Sequence, residues 1–235
     1  MAVKLLISGM ANTGKTTLLK TLEDVFVVAR DGKRYPFAQP HTNIPDLIYK
    51  PSAEEAPEHE RMTVSEQLID IINTKLIKYK EKNDKMPSTI VFDSISKIFL
   101  DIESAVMAKV DSFPYGVINT EIAMLVNYIE NTLIPYGINV VIVSHALKDE
   151  DADTYKLVNA GGQYGKKGGF LSEVDNAIFI EAKGTKRIIH NRSLKFISRT
   201  LNEDLPDNMP VADYNLQDHI NLLTGMGDAA AEFEY

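Results

Sequence analysis

Apolar residues in this chain gather into short unbroken runs, separated by longer segments with helical spacing. Val3–Ser8 is one such run, ending at Gly9. It predicts a strand buried on both faces of a parallel sheet. Thr16–Leu22 follows as a predicted helix and Asp24–Ala29 as a second strand. Asp31–Glu58 has no periodicity and is rich in Pro, Gly, Asn and His. It reads as a long loop, and loops of that length in compact domains are usually functional or mobile. Thr63–Lys82 sets Val64, Leu68, Ile71, Ile72 and Leu76 at helical spacing, with Ser65 as its start signal.

Thr89–Phe92 is a third predicted strand. Ile95–Val110 and Asn119–Leu133 follow as helices, the second stopped by Pro135. Ile138–Val143 is a fourth strand, and Ala146–Leu171 a polar, glycine-rich connection. Val174–Ala182 and Lys186–His190 flank Lys183-Gly184-Thr185 and predict a hairpin. Asp213–Leu223 is a last helix, and Gly225–Tyr235 is small, acidic and expected to fray. The alternation predicts one α/β domain over residues 1–224. Its mainly parallel sheet is flanked by helices and closed by a C-terminal antiparallel hairpin. A flexible acidic tail over 225–235 is expected beyond it.

Composition narrows the function classes. The chain has 235 residues, 44% hydrophobic and 25% charged, as expected of one globular domain. It has no cysteine, which excludes disulfides, thiolate zinc sites and a cysteine nucleophile. A formal net charge of −8 excludes a uniformly basic nucleic-acid-binding surface but allows a local basic patch. No run of 18 apolar residues occurs, and Met1–Ser8 lacks the apolar core of a signal peptide. The expectation is no membrane contact and a cytoplasmic location.

The sharpest chemistry is Gly9-Met10-Ala11-Asn12-Thr13-Gly14-Lys15-Thr16, a full G-x-x-x-x-G-K-[ST] phosphate loop between a predicted strand and a predicted helix. Glycines let backbone N–H groups turn toward phosphate oxygens, and a helix N-terminus adds positive potential. Lys15 is placed to reach the β and γ phosphates, and the Thr16 hydroxyl to take Mg²⁺. Gly9, Asn12, Thr13, Gly14, Lys15, Thr16 and Thr17 are the candidate nucleotide-binding residues. Thr89-Ile90-Val91-Phe92-Asp93 ends in an acid at the carboxyl edge of the sheet, where ligands of open α/β sheets bind. Asp93 is the candidate partner of Thr16 at the metal; capping of the following helix is the competing reading.

Ile90-Val91-Phe92-Asp93-Ser94 followed by an apolar helix resembles the RecA-like ATPases. With the phosphate loop opening at residue 9, the chain looks like the phage single-strand annealing ATPases of the Sak group and related phage nucleotide-binding proteins. No Asn-Lys-x-Asp base-reading motif is present, against a GTPase, and no Arg-rich lid, against a small-molecule kinase.

That resemblance implies a RecA-like P-loop NTPase core using ATP and Mg²⁺, and an ATPase stimulated by DNA. It implies a general base at Asp31, where Asp-Gly replaces the family's Glu-Gly; a simple turn is the alternative. It implies a γ-phosphate sensor at His145 and basic residues, Lys195 or Arg199, reaching a neighbouring subunit's nucleotide. A surface histidine and a solvated basic strand are the plain alternatives. It places single-stranded DNA on the loops after the third and fourth strands. The second holds Tyr164, Lys166, Lys167 and Phe170, which offer stacking faces and phosphate contacts. The first, Lys109–Asn119, holds Lys109, Phe113 and Tyr115. Lys186 and Arg187 lie in a basic segment, Lys183–Lys195, suited to the electrostatic part of strand binding or to guarding a sheet edge. The expected partners are single-stranded DNA, further copies in a ring or filament, and a single-strand binding protein. A nucleotide-gated assembly protein and a helicase or packaging motor are the alternatives.

Overall fold

The computed structural model describes residues 1–30, 35, 37, 38, 40–44, 63–158 and 169–230. Its first strand, β1 (Lys4–Gly9), lies inside a sheet ordered β3-β2-β4-β5-β1-β7-β8-β9. The other strands in that order are β2 (Val25–Ala29), β3 (His41–Asn43), β4 (Thr89–Asp93), β5 (Asn139–Asp149), β7 (Asn176–Lys183), β8 (Lys186–His190) and β9 (Asn208–Pro210), with β1 between β5 and β7. From β3 to β7 every pairing is parallel, and β8 and β9 close the edge antiparallel. The protein therefore has a mostly parallel mixed sheet with an antiparallel C-terminal edge.

Both faces of the sheet are covered, which is why its central strands read as unbroken apolar runs rather than alternating ones. Leu6, Phe26, Ile90, Phe92, Val140 and Ile142 face one layer, made by α2 (Val64–Asn83), α3 (Ile95–Met107) and α4 (Pro114–Tyr128). Leu5, Ile7, Val27, Val91, Val141 and Ile178 face the other. That second layer is α1 (Lys15–Leu18), the 3₁₀ turn Leu19–Thr21, and α5 (Leu216–Ala230). Fully burying each aliphatic side chain is worth roughly 1.5–3 kcal/mol.

Several boundaries differ from the sequence-based expectation. The loop over 31–58 contains β3, three residues paired in parallel with β2, too short to carry a periodic signal. The helix expected over 16–22 is a single α turn that tightens into 3₁₀. Thr63, not Ser65, starts α2: its hydroxyl accepts the Glu66 N–H while Glu66 reaches back to the Thr63 N–H, a capping box. Ser65 is buried instead, its hydroxyl donating to the Glu121 carbonyl at 2.6 Å. α4 begins five residues before Asn119 because Pro114 fits the first helical turn, where no N–H is needed. It continues through a π-helical turn, Ile129–Leu133.

The fourth strand runs six residues past Val143 and folds back on β6 (Thr154–Leu157), so the expected polar connection opens as an antiparallel hairpin. The last helix, expected over 213–223, runs over Leu216–Ala230. No helix among the described residues is long and apolar enough to cross a membrane.

Candidate functional site

The carboxyl ends of β1, β4 and β5 meet around one cavity of about 280 Å³, lined by Asn12, Thr13, Gly14, Lys15, Thr16, Thr17, Asp93 and His145. Register makes this meeting. Gly9 sits opposite His145 on β5 and opposite Ile180 on β7, and Asp93 sits opposite Val143. Six of the seven loop residues singled out from the sequence line the wall. The seventh, Gly9, lies beneath it. A Cβ on Gly9 would stand 2.6 Å from the Ile180 carbonyl oxygen and 2.8 Å from Thr13 Oγ1, so the strand end admits no side chain there. Gly14 holds a left-handed conformation, φ 95°, where the chain swings into α1.

Lys15 is buried, and its Nζ donates to the carbonyls of Gly9 at 2.8 Å and Met10 at 2.7 Å. His145 Nδ1 lies 3.5 Å from the same Nζ. The ammonium is thus held at the bend of the loop. Because α1 is one turn long, the helix dipole contributes little here, and Lys15 is the main positive charge on the cavity wall.

Opposite it, the Thr16 hydroxyl donates to Asp93 Oδ2 at 3.0 Å. Asp93 is only 3% exposed. A buried carboxylate is costly unless hydrogen-bonded or balanced by a cation. A hydroxyl and a carboxylate in contact are the hard oxygen donors that Mg²⁺ takes, usually with waters and phosphate oxygens completing its shell. The residues present therefore fit Mg²⁺ with a nucleotide phosphate chain. Thr16 and Asp93 would hold the metal, which neutralises phosphate charge. Among the described residues no cluster of three or more His, Cys, Asp or Glu side chains could hold a metal independently.

Two participants were missed in the sequence. The Tyr35 hydroxyl donates to the same Asp93 Oδ2 at 3.0 Å. Its only sequence signal is an aromatic pair, Tyr35 and Phe37, flanking a proline in a polar stretch. Ser96, in the first turn of α3, accepts the His145 backbone N–H at 2.9 Å and meets Ser144 Oγ at 2.8 Å. Behind Asp93, the Arg30 N–H donates to the Asp93 carbonyl at 2.8 Å, and the Arg30 guanidinium pairs with Asp101 of α3. Asp31, the candidate base next in sequence, lies outside the described residues.

The other expected sites fare unevenly. Phe170 is not a stacking face for a base: it is 2% exposed and stacked on Phe99 with ring centroids 5.3 Å apart, inside the main core. Its place in an otherwise polar, glycine-rich segment concealed a core anchor. Tyr164, Lys166 and Lys167 lie outside the described residues. Arg199 is exposed, and its backbone bridges Ala177, which is in register with Leu6. That is three residues short of Gly9, roughly 10 Å back along the strand, so Arg199 does not join the cavity of its own chain.

Charge in the basic segment is partly neutralised. Lys183 pairs with Glu181, Arg192 with Asp207 and Lys195 with Asp153. The Lys195 ammonium holds the Asp153 carboxyl below its ordinary range. Arg187 caps its own turn through the Gly184 and Lys186 carbonyls. The β7–β8 hairpin bearing Lys186 and Arg187 rises past Ile180 on the same edge as the phosphate loop.

A family model described as an AAA domain matches residues 1–203, which include every residue of the cavity wall. No curated protein matches the chain.

Proposed function

The chain belongs to the AAA-domain family of P-loop nucleotide-binding ATPases, and from that membership we propose a finer reading. It is a Mg²⁺-ATP-hydrolysing protein with a RecA-like core that binds single-stranded DNA and serves phage DNA recombination, annealing or repair. The observation that carries its nucleotide chemistry is the cavity bringing Lys15, Thr16, Asp93 and His145 together. Lys15 neutralises the β and γ phosphates, Thr16 and Asp93 hold Mg²⁺, and Asp31 orients the attacking water. His145 contacts the γ-phosphate and, lying on β5, passes its state into the β5–β6 hairpin.

Single-stranded DNA is assigned to Lys186 and Arg187, on the hairpin beside the phosphate loop, together with Tyr164, Lys166 and Lys167. Strand binding of this kind needs backbone charge and stacking faces. Arg199 is assigned to the nucleotide of a neighbouring copy, in a ring or filament, and a single-strand binding protein is a further partner.

A second reading, a nucleotide-gated assembly protein with little catalysis, draws on one observation. Among the described residues, Asp93 is the only carboxylate on the cavity wall, and two hydroxyls already bond it. ATP hydrolysis by the purified protein, with and without single-stranded DNA, separates the readings. DNA-stimulated turnover that disappears in Lys15→Ala supports the recombination protein. Nucleotide binding without DNA-dependent turnover supports the gated one.

A further inference from the structure

We propose that Tyr35 is a positioning residue for the metal-holding carboxylate, fixing the Asp93 side chain from outside the phosphate loop and β4. The inference rests on the reading of this cavity as a metal–nucleotide site.

The geometry is a convergence of two hydroxyls on one carboxylate oxygen. Thr16 Oγ1 and Tyr35 Oη both donate to Asp93 Oδ2, each at 3.0 Å. Two donors on a single oxygen fix the carboxylate plane about its last torsion, which is otherwise broad for an aspartate. A metal–ligand distance is sensitive to that plane, because Mg²⁺ demands near-ideal octahedral geometry. Thr16 cannot do this alone. Its oxygen is itself a metal ligand in this reading, so its position depends on the ion. Tyr35 is independent of the ion.

Described residues on either side of Tyr35 in sequence are bonded to the sheet, and its ring is packed. Before it, the Arg30 N–H is bonded to the Asp93 carbonyl, and the Arg30 guanidinium reaches Asp101 and the Ile44 carbonyl. After it, the Val27 N–H donates to the Pro40 carbonyl at 2.9 Å, and β3 is zipped to β2. The Tyr35 ring meets Phe37 edge to face at 5.7 Å, and both pack against the cluster that includes Val27, Ala29 and Val91. The phenol therefore reaches Asp93 with its ring packed on Phe37 and the sheet, as a positioning group must.

A purely structural Tyr35 would contribute packing alone. The distinguishing measurement is metal affinity rather than turnover. The probes are Mn²⁺, read by its electron paramagnetic resonance signal in the presence of ADP, and ADP alone in EDTA, read by calorimetry. In the full-length chain, Tyr35→Phe should weaken Mn²⁺ binding about tenfold, the size of one charge-assisted hydrogen bond. ADP affinity in EDTA should stay unchanged.

In an Asp93→Ala background, Tyr35→Phe should cost nothing further, because no side-chain oxygen remains at position 93 to accept the bond. Mn²⁺ affinity unaltered or tighter in Tyr35→Phe overturns the assignment, as does the same tenfold loss in both backgrounds. Wild-type protein that binds no ADP under either condition overturns the nucleotide reading itself, and this inference with it.

Discussion

The His145 backbone N–H donates to the Ser96 hydroxyl oxygen at 2.9 Å, and the same hydroxyl meets Ser144 Oγ at 2.8 Å. Ser96 and Ser144 are both buried. One hydroxyl thus ties β5 at His145 to the first turn of α3, just after Asp93. The carboxylate and the imidazole on either side of the cavity share a mechanical support. Ser96→Ala should cost about 1–3 kcal/mol in urea unfolding, the penalty for stranding buried polar partners. Turnover of ATP should fall while ATP affinity holds, because His145 is displaced and Lys15 is not. Equal losses in turnover and affinity would show that Ser96 supports the fold alone.

Of the two glycines in the loop, Gly9 has the less room. The ideal Cβ contacts of 2.6 Å to the Ile180 carbonyl oxygen and 2.8 Å to Thr13 Oγ1 cannot be relieved by turning a flexible side chain, since the first is backbone. Gly9→Ala should push β1 from β7 and destabilise the protein by about 1–3 kcal/mol, as strained backbone sites do. Gly14→Ala meets no such neighbours, and its strain comes from φ 95° alone. Comparing melting temperatures and ADP affinities of the two variants tests this. Gly9→Ala should lose both, Gly14→Ala mainly affinity.

The parts of this molecule legible in the sequence are those where one physical demand dominates. Val3–Ser8 reads as a doubly buried strand and Gly9–Thr16 as a phosphate-loop motif, so β1 and the meeting of the loop with Asp93 at one cavity are legible in the sequence. Contacts made over long sequence separation left little trace. Tyr35 reaches Asp93 across 58 positions, and Ser96 reaches His145 across 49. Phe170 misled because a glycine-rich, lysine-bearing neighbourhood describes a mobile loop, while its ring belongs to the core with Phe99. The ion pairing of the basic segment was not legible because its acidic partners, Asp153, Asp207 and Glu181, lie in other turns and strands or outside its bounds.

Arg199 offers a test of assembly. Its backbone exchanges two hydrogen bonds with Ala177, N–H to carbonyl at 2.8 Å and 2.7 Å, while the residue as a whole stays exposed. Arg199→Ala should therefore leave the fold intact. If Arg199 acts on a neighbouring copy, the variant binds ATP normally and loses turnover by a hundredfold or so, at the modest end for an arginine finger. Mixing it with Lys15→Ala should restore partial activity, since each variant supplies what the other lacks. Loss of ATP binding in Arg199→Ala, or no rescue on mixing, would remove the role in trans.

Acid stability should depend on a histidine far from the cavity. His219, on α5, is buried beneath Tyr214, whose hydroxyl is hydrogen-bonded to His219 Nδ1. Its Nε2 is buried without a partner among the described residues. Burial depresses the imidazole to about 4, against 6.5 for the free side chain. The unfolded chain therefore binds a proton below pH 6.5 that the folded chain refuses until about pH 4. The stability tied to neutral His219 is fully present above pH 6.5 and drains away as pH falls toward 4. Between pH 7.5 and 4.5 the loss should be about 2–3 kcal/mol. Urea unfolding of wild type and His219→Gln at both pH values isolates it, because the carboxylates titrate alike in the two proteins. The wild type should lose that much more stability than the variant on acidification. Parallel losses would mean that His219 takes up its proton in the folded state as readily as in the unfolded one.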